Sequence, residues 1–145
     1  MKAYLDTNIL IAAFVRIHPH HGPAIELLSL THGNSVKGCL SNHGLAEFYS
    51  VLTRAPYSPR IHPLDATGFL ETNVYPYFEI VPFDETDYRK VLANTASAGH
   101  SGGMIYDALH LWAAQKAGCD RIYTFNVKHF RMLAPEDLAR KITAP

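Results

Sequence analysis

The chain has 145 residues, 48% hydrophobic and 18% charged, and its 13 basic and 13 acidic side chains cancel. That length fits one domain, residues 1–145, with a real core, and no apolar run approaches the ~18 residues of a membrane span. Zero net charge excludes a protein that coats nucleic acid by bulk charge, but not a nuclease.

Lys2-Ala3-Tyr4-Leu5 reads as a first strand. An apolar helical pattern with Ile9, Leu10, Ile11, Ala12 and Phe14 follows from Asn8 to about Arg16. His18-Pro19-His20-His21-Gly22 breaks it. Pro23 opens a second helix that carries Ile25, Leu27, Leu28 and Leu30 and ends near His32-Gly33-Asn34. Val36–Leu40 is a second strand. Ser41 or Asn42 caps a helix whose Leu45, Phe48, Tyr49 and Leu52 form one stripe. Pro56, Pro59 and Pro63 stiffen the next loop, and a helix over Leu64–Val74 stops before Pro76.

Phe78–Phe83 fits a third strand. Asp84 caps a helix through about Ala98, with Tyr88, Val91 and Leu92 on its apolar side. Gly99-His100-Ser101-Gly102-Gly103 is a break. The helix Met104–Lys116 is apolar on nearly every side, as buried helices are, and Gly118 ends it. Arg121–Phe125 is a fourth strand, Val127–Leu133 and Glu136–Arg140 are short helices, and Ile142 begins an edge strand. Strands separated by helices predict a three-layer α/β/α fold around a mainly parallel, four- to five-stranded sheet. Cys39 and Cys119 are too few for a disulfide framework and read as buried thiols of a cytoplasmic protein. The aspartate at position 6 interrupts the N-terminal apolar run, which therefore does not read as a secretory signal.

Four positions carry the chemistry. Asp6 leaves the first strand at its carboxyl end, where open α/β sheets bind ligands; it is either a helix N-cap or a ligand. Asp107 lies in the first turn of the apolar helix, with Leu111 and Ala114 on its side at i+4 and i+7. A carboxylate there is costly without a partner, and the helix dipole is the alternative explanation. Glu47 falls off its helix's apolar stripe and by itself suggests a solvated glutamate. Asn126 follows the fourth strand, so Asp6 and Asn126 both leave strands toward one crevice that helices bearing Glu47 and Asp107 can reach. Three carboxylates and an amide oxygen are hard ligands suited to Mg²⁺ or Mn²⁺. No cysteine pair or His-Glu-x-x-His pattern offers a zinc site. His18, His20 and His21 lack a completing ligand and read as a polar loop. Arg16, Arg54, Arg60, Lys128 and Arg131 are candidate phosphate contacts, the last pair favoured by closeness to Asn126. Tyr75, Tyr77 and Phe78 read as core or dimer packing.

Four segments occur in order: Tyr4-Leu5-Asp6-Thr7-Asn8; Leu45-Ala46-Glu47; Gly102-Gly103-Met104-Ile105-Tyr106-Asp107-Ala108-Leu109-His110; and Tyr123-Thr124-Phe125-Asn126-Val127-Lys128-His129-Phe130. Through them the chain resembles PIN-domain ribonucleases, most of all the VapC-type toxins of bacterial toxin–antitoxin pairs. The resemblance implies that Asp6, Glu47 and Asp107 are acidic metal ligands, that Asn8 orients them, and that Thr124 is the hydroxyl residue of the last motif. Many members carry an aspartate where this chain has Asn126; an amide oxygen still reaches a metal or its waters but brings no charge, which leaves one or two ions open. The implied reaction is Mg²⁺- or Mn²⁺-dependent hydrolysis of an RNA phosphodiester, leaving a 5′-phosphate and a 3′-hydroxyl. The implied context is a cytoplasmic homodimer held inactive by an antitoxin protein. Two other readings stand beside it. One is a catalytically silent PIN-like binding module, which Asn126 permits. The other is a phosphatase with Asp6 as nucleophile, which would want a second acid where Asn8 stands.

Overall fold

The short strands send successive side chains into two different cores, as a period of two requires. In the computed structural model, which describes residues 1–145, β1 (Lys2–Leu5) gives Ala3 and Leu5 to one core and Tyr4 to the other. In β2 (Lys37–Ser41), Leu40 and Cys39 divide the same way. Phe78 and Val81 do so in β3 (Phe78–Val81). β4 (Arg121–Tyr123) and β5 (Ile142–Thr143) add Ile122 and Ile142 to the second core.

All five strands are parallel, in the order β3-β2-β1-β4-β5. The chain adds β2 and β3 on one side of β1, then returns to add β4 and β5 on the other. The seam between β1 and β4 is therefore a topological switch point, where connections leave the carboxyl ends in opposite directions and open a crevice. The register Leu5↔Tyr123 puts both strand ends at one level.

Helices α1 (Thr7–Phe14), α2 (His21–His32), α3 (Asn42–Arg54) and α4 (Pro63–Asn73) cover the first face through Leu10, Leu28, Phe48, Leu52 and Leu70. Helices α6 (Met104–Lys116), α7 (Val127–Leu133) and α8 (Glu136–Ala139) cover the second through Leu111, Ala113, Phe130 and Leu138. Helix α5 (Glu85–Ser97) packs on α6. This is the predicted three-layer α/β/α arrangement. No helix is long and apolar enough to cross a membrane. Removing one enclosed side chain, as in Leu10→Ala, costs about 2–5 kcal/mol.

The element ends differ from the sequence reading for local reasons. The third strand stops at Val81 because Pro82 has no N–H to give the ladder. The fourth stops at Tyr123, since the Phe125 N–H turns to Asn8 Oδ1 at 3.3 Å. On α5 the inward face carries Asp87 and Val91, while Tyr88 and Leu92 are exposed. Asp87 is tolerated there because it completes a capping box with Asp84 and binds Trp112 and Lys116. One close approach shapes the site: a Cβ at Gly44 would lie 2.6 Å from Leu40 Cδ1. The bare glycine lets α3 start hard against β2, with its N–H on Ser41 Oγ at 2.9 Å.

Candidate active site

Asp6 stands where β1 ends, its N–H bonded to Tyr123 O at 2.9 Å. It holds the N-cap position of α1 but makes no side-chain cap bond. Its Oδ2 instead accepts from Thr124 Oγ1 at 2.7 Å, across the β1–β4 seam. Thr124 Oγ1 accepts in turn from Asn8 Nδ2 at 3.2 Å and from the Asn126 N–H at 3.0 Å. Asn8 therefore acts on Asp6 through Thr124. These groups are held by strand ends and the first turn of α1, so their geometry follows from the sheet register.

Helix α3 brings Glu47 to the same place, half-buried rather than solvated. Its Oε2 lies 3.2 Å from His110 Nε2 and 3.6 Å from His43 Nε2. His110, fully enclosed on α6, also points Nε2 at Asp6 Oδ1, 3.5 Å away. Its Nδ1 is 2.7 Å from the Tyr4 hydroxyl, which donates to Ser41 Oγ. The Tyr4 oxygen is thus free to accept from Nδ1–H, which leaves Nε2 facing the two carboxylates. His110 is not among the site residues expected from the sequence. The available signal was a histidine one helical turn beyond Asp107, on an otherwise apolar helix. His43, one turn before Glu47, carried the same signal.

Burial raises the Asp6 pKa; the His110 charge and the Thr124 hydrogen bond oppose it, and Glu47 adds repulsion. Burial also pushes Glu47 upward, but the hydrogen bond and charge of His110 and the nearby His43 outweigh it and hold Glu47 below its ordinary value. Asp107 is raised by burial and by the charges of Asp6 and Glu47. Burial alone would lower His110, yet the Tyr4 oxygen and the two carboxylates hold it well above its ordinary value. Three acidic groups thus share one imidazole, and the site has an excess of negative charge.

Donor atoms of Asp6, Glu47 and His110 all lie within 4.8 Å of one another. Buried His43 Nε2 has no hydrogen-bond partner, and it and the buried Thr7 hydroxyl both adjoin Glu47. Clustered carboxylate oxygens with a hydroxyl and an unpartnered ring nitrogen beside them fit a hard divalent cation. Asp107 stands outside that tight trio. It lines a cleft of about 540 Å³ between α3 and α6, together with Glu47 and Arg54. Asn126 is exposed and is not among the residues that line this cleft, and its side chain does not cap α7.

The remaining candidates separate cleanly. The His20 ring stacks on Phe125 at 4.4 Å, His21 Nδ1 meets Ala12 O at 2.9 Å, and His18 Nδ1 accepts the His20 N–H. Arg131 is committed to Ile142 O at 2.7 Å, while Lys128 remains exposed. Tyr77 lies against His32 and Phe78 is buried in the first core.

A family model described as PIN domain matches residues 3–134. Ribonuclease VapC40 of Mycobacterium tuberculosis is 32% identical over 114 residues, which is 78% of this chain and 78% of the relative. Among solved structures, VapC20 of the same organism, described as a sarcin–ricin loop cleaving toxin, superposes with TM-score 0.67 at 16% identity, covering 88% of this chain and 92% of that one. VapBC2 from Rickettsia felis, bound to a DNA fragment from their promoter, gives 0.61 at 20% identity over 90% and 92% of the two chains. These two share the fold. With the switch-point acids, the matched residues and the VapC40 identity taken together, the chain belongs to the PIN-domain family.

Proposed function

We propose that this chain is a Mg²⁺- or Mn²⁺-dependent endoribonuclease, the toxin of a pair controlled by an antitoxin protein, and that residues 1–145 form one PIN domain working as a cytoplasmic homodimer. The observation that carries this reading is the cluster of Asp6, Glu47 and His110 donors within 4.8 Å at the sheet's switch point, in a member of this family. The ribonuclease name of the VapC40 relative and the VapBC2 neighbour support the substrate and the partner.

In this reading Asp6, Glu47 and Asp107 hold the cation, and Asn126 offers it or its waters a neutral oxygen. A bound divalent ion would supply a water of lowered pKa and polarise a phosphoryl oxygen. Thr124 and Asn8 keep the Asp6 carboxylate aimed. Tyr4 holds the His110 ring so that Nε2 stays between Asp6 and Glu47.

Asp6→Asn and Asp107→Asn should each abolish Mg²⁺-dependent RNA cleavage and growth inhibition, and the ends left by the wild type should be 5′-phosphates. Undiminished cleavage by either variant would falsify the site assignment. A silent binding module is the rival reading, favoured by an uncharged and exposed Asn126. It predicts no Mn²⁺ binding in calorimetry.

A further inference from the structure

Beside the acids, the α3–α6 cleft has an aromatic wall that the reaction itself does not require. Tyr106 immediately precedes Asp107 and lines the same cleft as Glu47. It is 50% exposed, although it belongs to a helix whose middle is enclosed. Its ring lies parallel to His43, with centroids 5.3 Å apart and planes 7° apart. The His43 ring packs edge-on against His110, at 6.4 Å between centroids, with its Nε2 3.6 Å from Glu47 Oε2. One face of Tyr106 is therefore backed by the His43 ring, and the half-exposed side chain borders the cleft. Arg54 is the one Lys or Arg side chain that lines this cleft.

We propose that Tyr106 is the stacking platform for a nucleobase next to the cleaved phosphate, and that Arg54 across the cleft contacts the RNA backbone. The proposal deepens the ribonuclease reading and rests on it. Unpaired RNA bases splay out of the chain and stack on aromatic side chains. A phosphate placed at Glu47 and Asp107 carries its neighbouring base toward the flat, half-exposed ring one residue away. A pre-held ring loses little freedom on binding, so the stack is well used. An exposed arginine facing the same space supplies the positive charge that a carboxylate-lined cleft lacks for a polyanion.

The test measures cleavage and binding of a short single-stranded RNA of mixed sequence, alongside the same pool with abasic positions. Tyr106→Ala should raise KM about 5- to 150-fold, the range for one lost base stack, with the change falling on KM rather than kcat. Tyr106→Phe should restore KM, since the stack uses the ring and not the hydroxyl. The wild type should bind abasic RNA more weakly than intact RNA, and Tyr106→Ala should lose that preference. Arg54→Ala should weaken both RNAs alike and lower the salt slope by about one. Wild-type cleavage combined with an unaltered KM in Tyr106→Ala overturns base stacking and leaves the ribonuclease reading intact. A wild type that neither binds nor cleaves RNA overturns both.

Discussion

His110 Nε2 lies 3.2 Å from Glu47 Oε2, which ties the middle of α6 to the middle of α3. The same nitrogen is 3.5 Å from Asp6, so one imidazole separates two acids that otherwise repel. Its pKa is held well above the ordinary value, against the opposing effect of burial, by Tyr4, Asp6 and Glu47. A raised histidine stabilises the fold fully below its unfolded pKa of roughly 6.5, and that contribution is lost as pH rises through the folded value. In chelator, then, wild-type stability should decline between about pH 6.5 and that folded value and level off above it. His110→Gln should remove about 2–3 kcal/mol at neutral pH, less than the full cost of breaking a buried pair because Glu47 is partly exposed. Its alkaline decline should also be flatter. Urea titrations across pH read this directly, and parallel profiles for the two proteins would rule out a charged His110.

Thr124 Oγ1 is the joint of the seam, donating to Asp6 and accepting from Asn8 and the Asn126 N–H. Thr124→Val keeps the shape and deletes all three bonds. It should cost about 1–3 kcal/mol from the stranded partners and lower metal affinity or cleavage by about 10- to 100-fold, as lost support behind metal ligands does. Thr124→Ser should recover most of both. Equal Mn²⁺ affinity in Thr124→Val and wild type would show that the hydroxyl does not position Asp6.

Much of this was legible in the sequence because strands and helices here are short, regularly patterned and punctuated by Pro and Gly. The strand-end position of Asp6 followed from that order alone, whereas Asn126 lies three residues beyond the end of β4, at the start of α7. Glu47 was misleading for a physical reason: helical spacing describes one apolar stripe, whereas α3 also turns a polar edge toward α6. His110 stayed hidden because a histidine on an apolar helix has no periodic signature, and its partners Tyr4, Asp6 and Glu47 come from distant elements. Tyr88 and Leu92 pointed the wrong way because Asp87 takes their place inside, an inversion that only its Trp112 and Lys116 partners explain.

Asp107 should trade stability against binding. Burial and the Asp6 and Glu47 charges raise its pKa, so its charge is less favourable in the fold than in the unfolded chain. Asp107→Asn removes that repulsion and should stabilise the metal-free protein, by on the order of 0.5 kcal/mol. Mn²⁺ at about 100 times its Kd should stabilise the wild type by about 2.7 kcal/mol, a Tm rise of roughly 5–10 °C for a chain this size. The rise should shrink in Asp107→Asn. Thermal melts with Mn²⁺ and with chelator give both numbers, and an undiminished rise in the variant would exclude Asp107 from the metal site.

Asp87 joins α5 to α6 through a cluster of donors: Lys116 Nζ at 2.6 Å, Trp112 Nε1 at 2.9 Å and the Asp84 N–H at 2.9 Å. Lys116 first, then the Asp84 N–H and Trp112, hold its carboxyl well below the usual carboxylate range. A depressed acid stabilises the fold above its unfolded pKa of about 3.9, and the contribution is lost as pH falls through the folded value. Asp87→Asn should therefore cost about 1–3 kcal/mol at neutral pH, and its gap from wild type should narrow below about pH 4. Trp112 is the chain's one tryptophan, so indole fluorescence follows this contact without labelling. A gap that stays constant into strong acid would mean that the Asp87 charge contributes nothing to the α5–α6 contact.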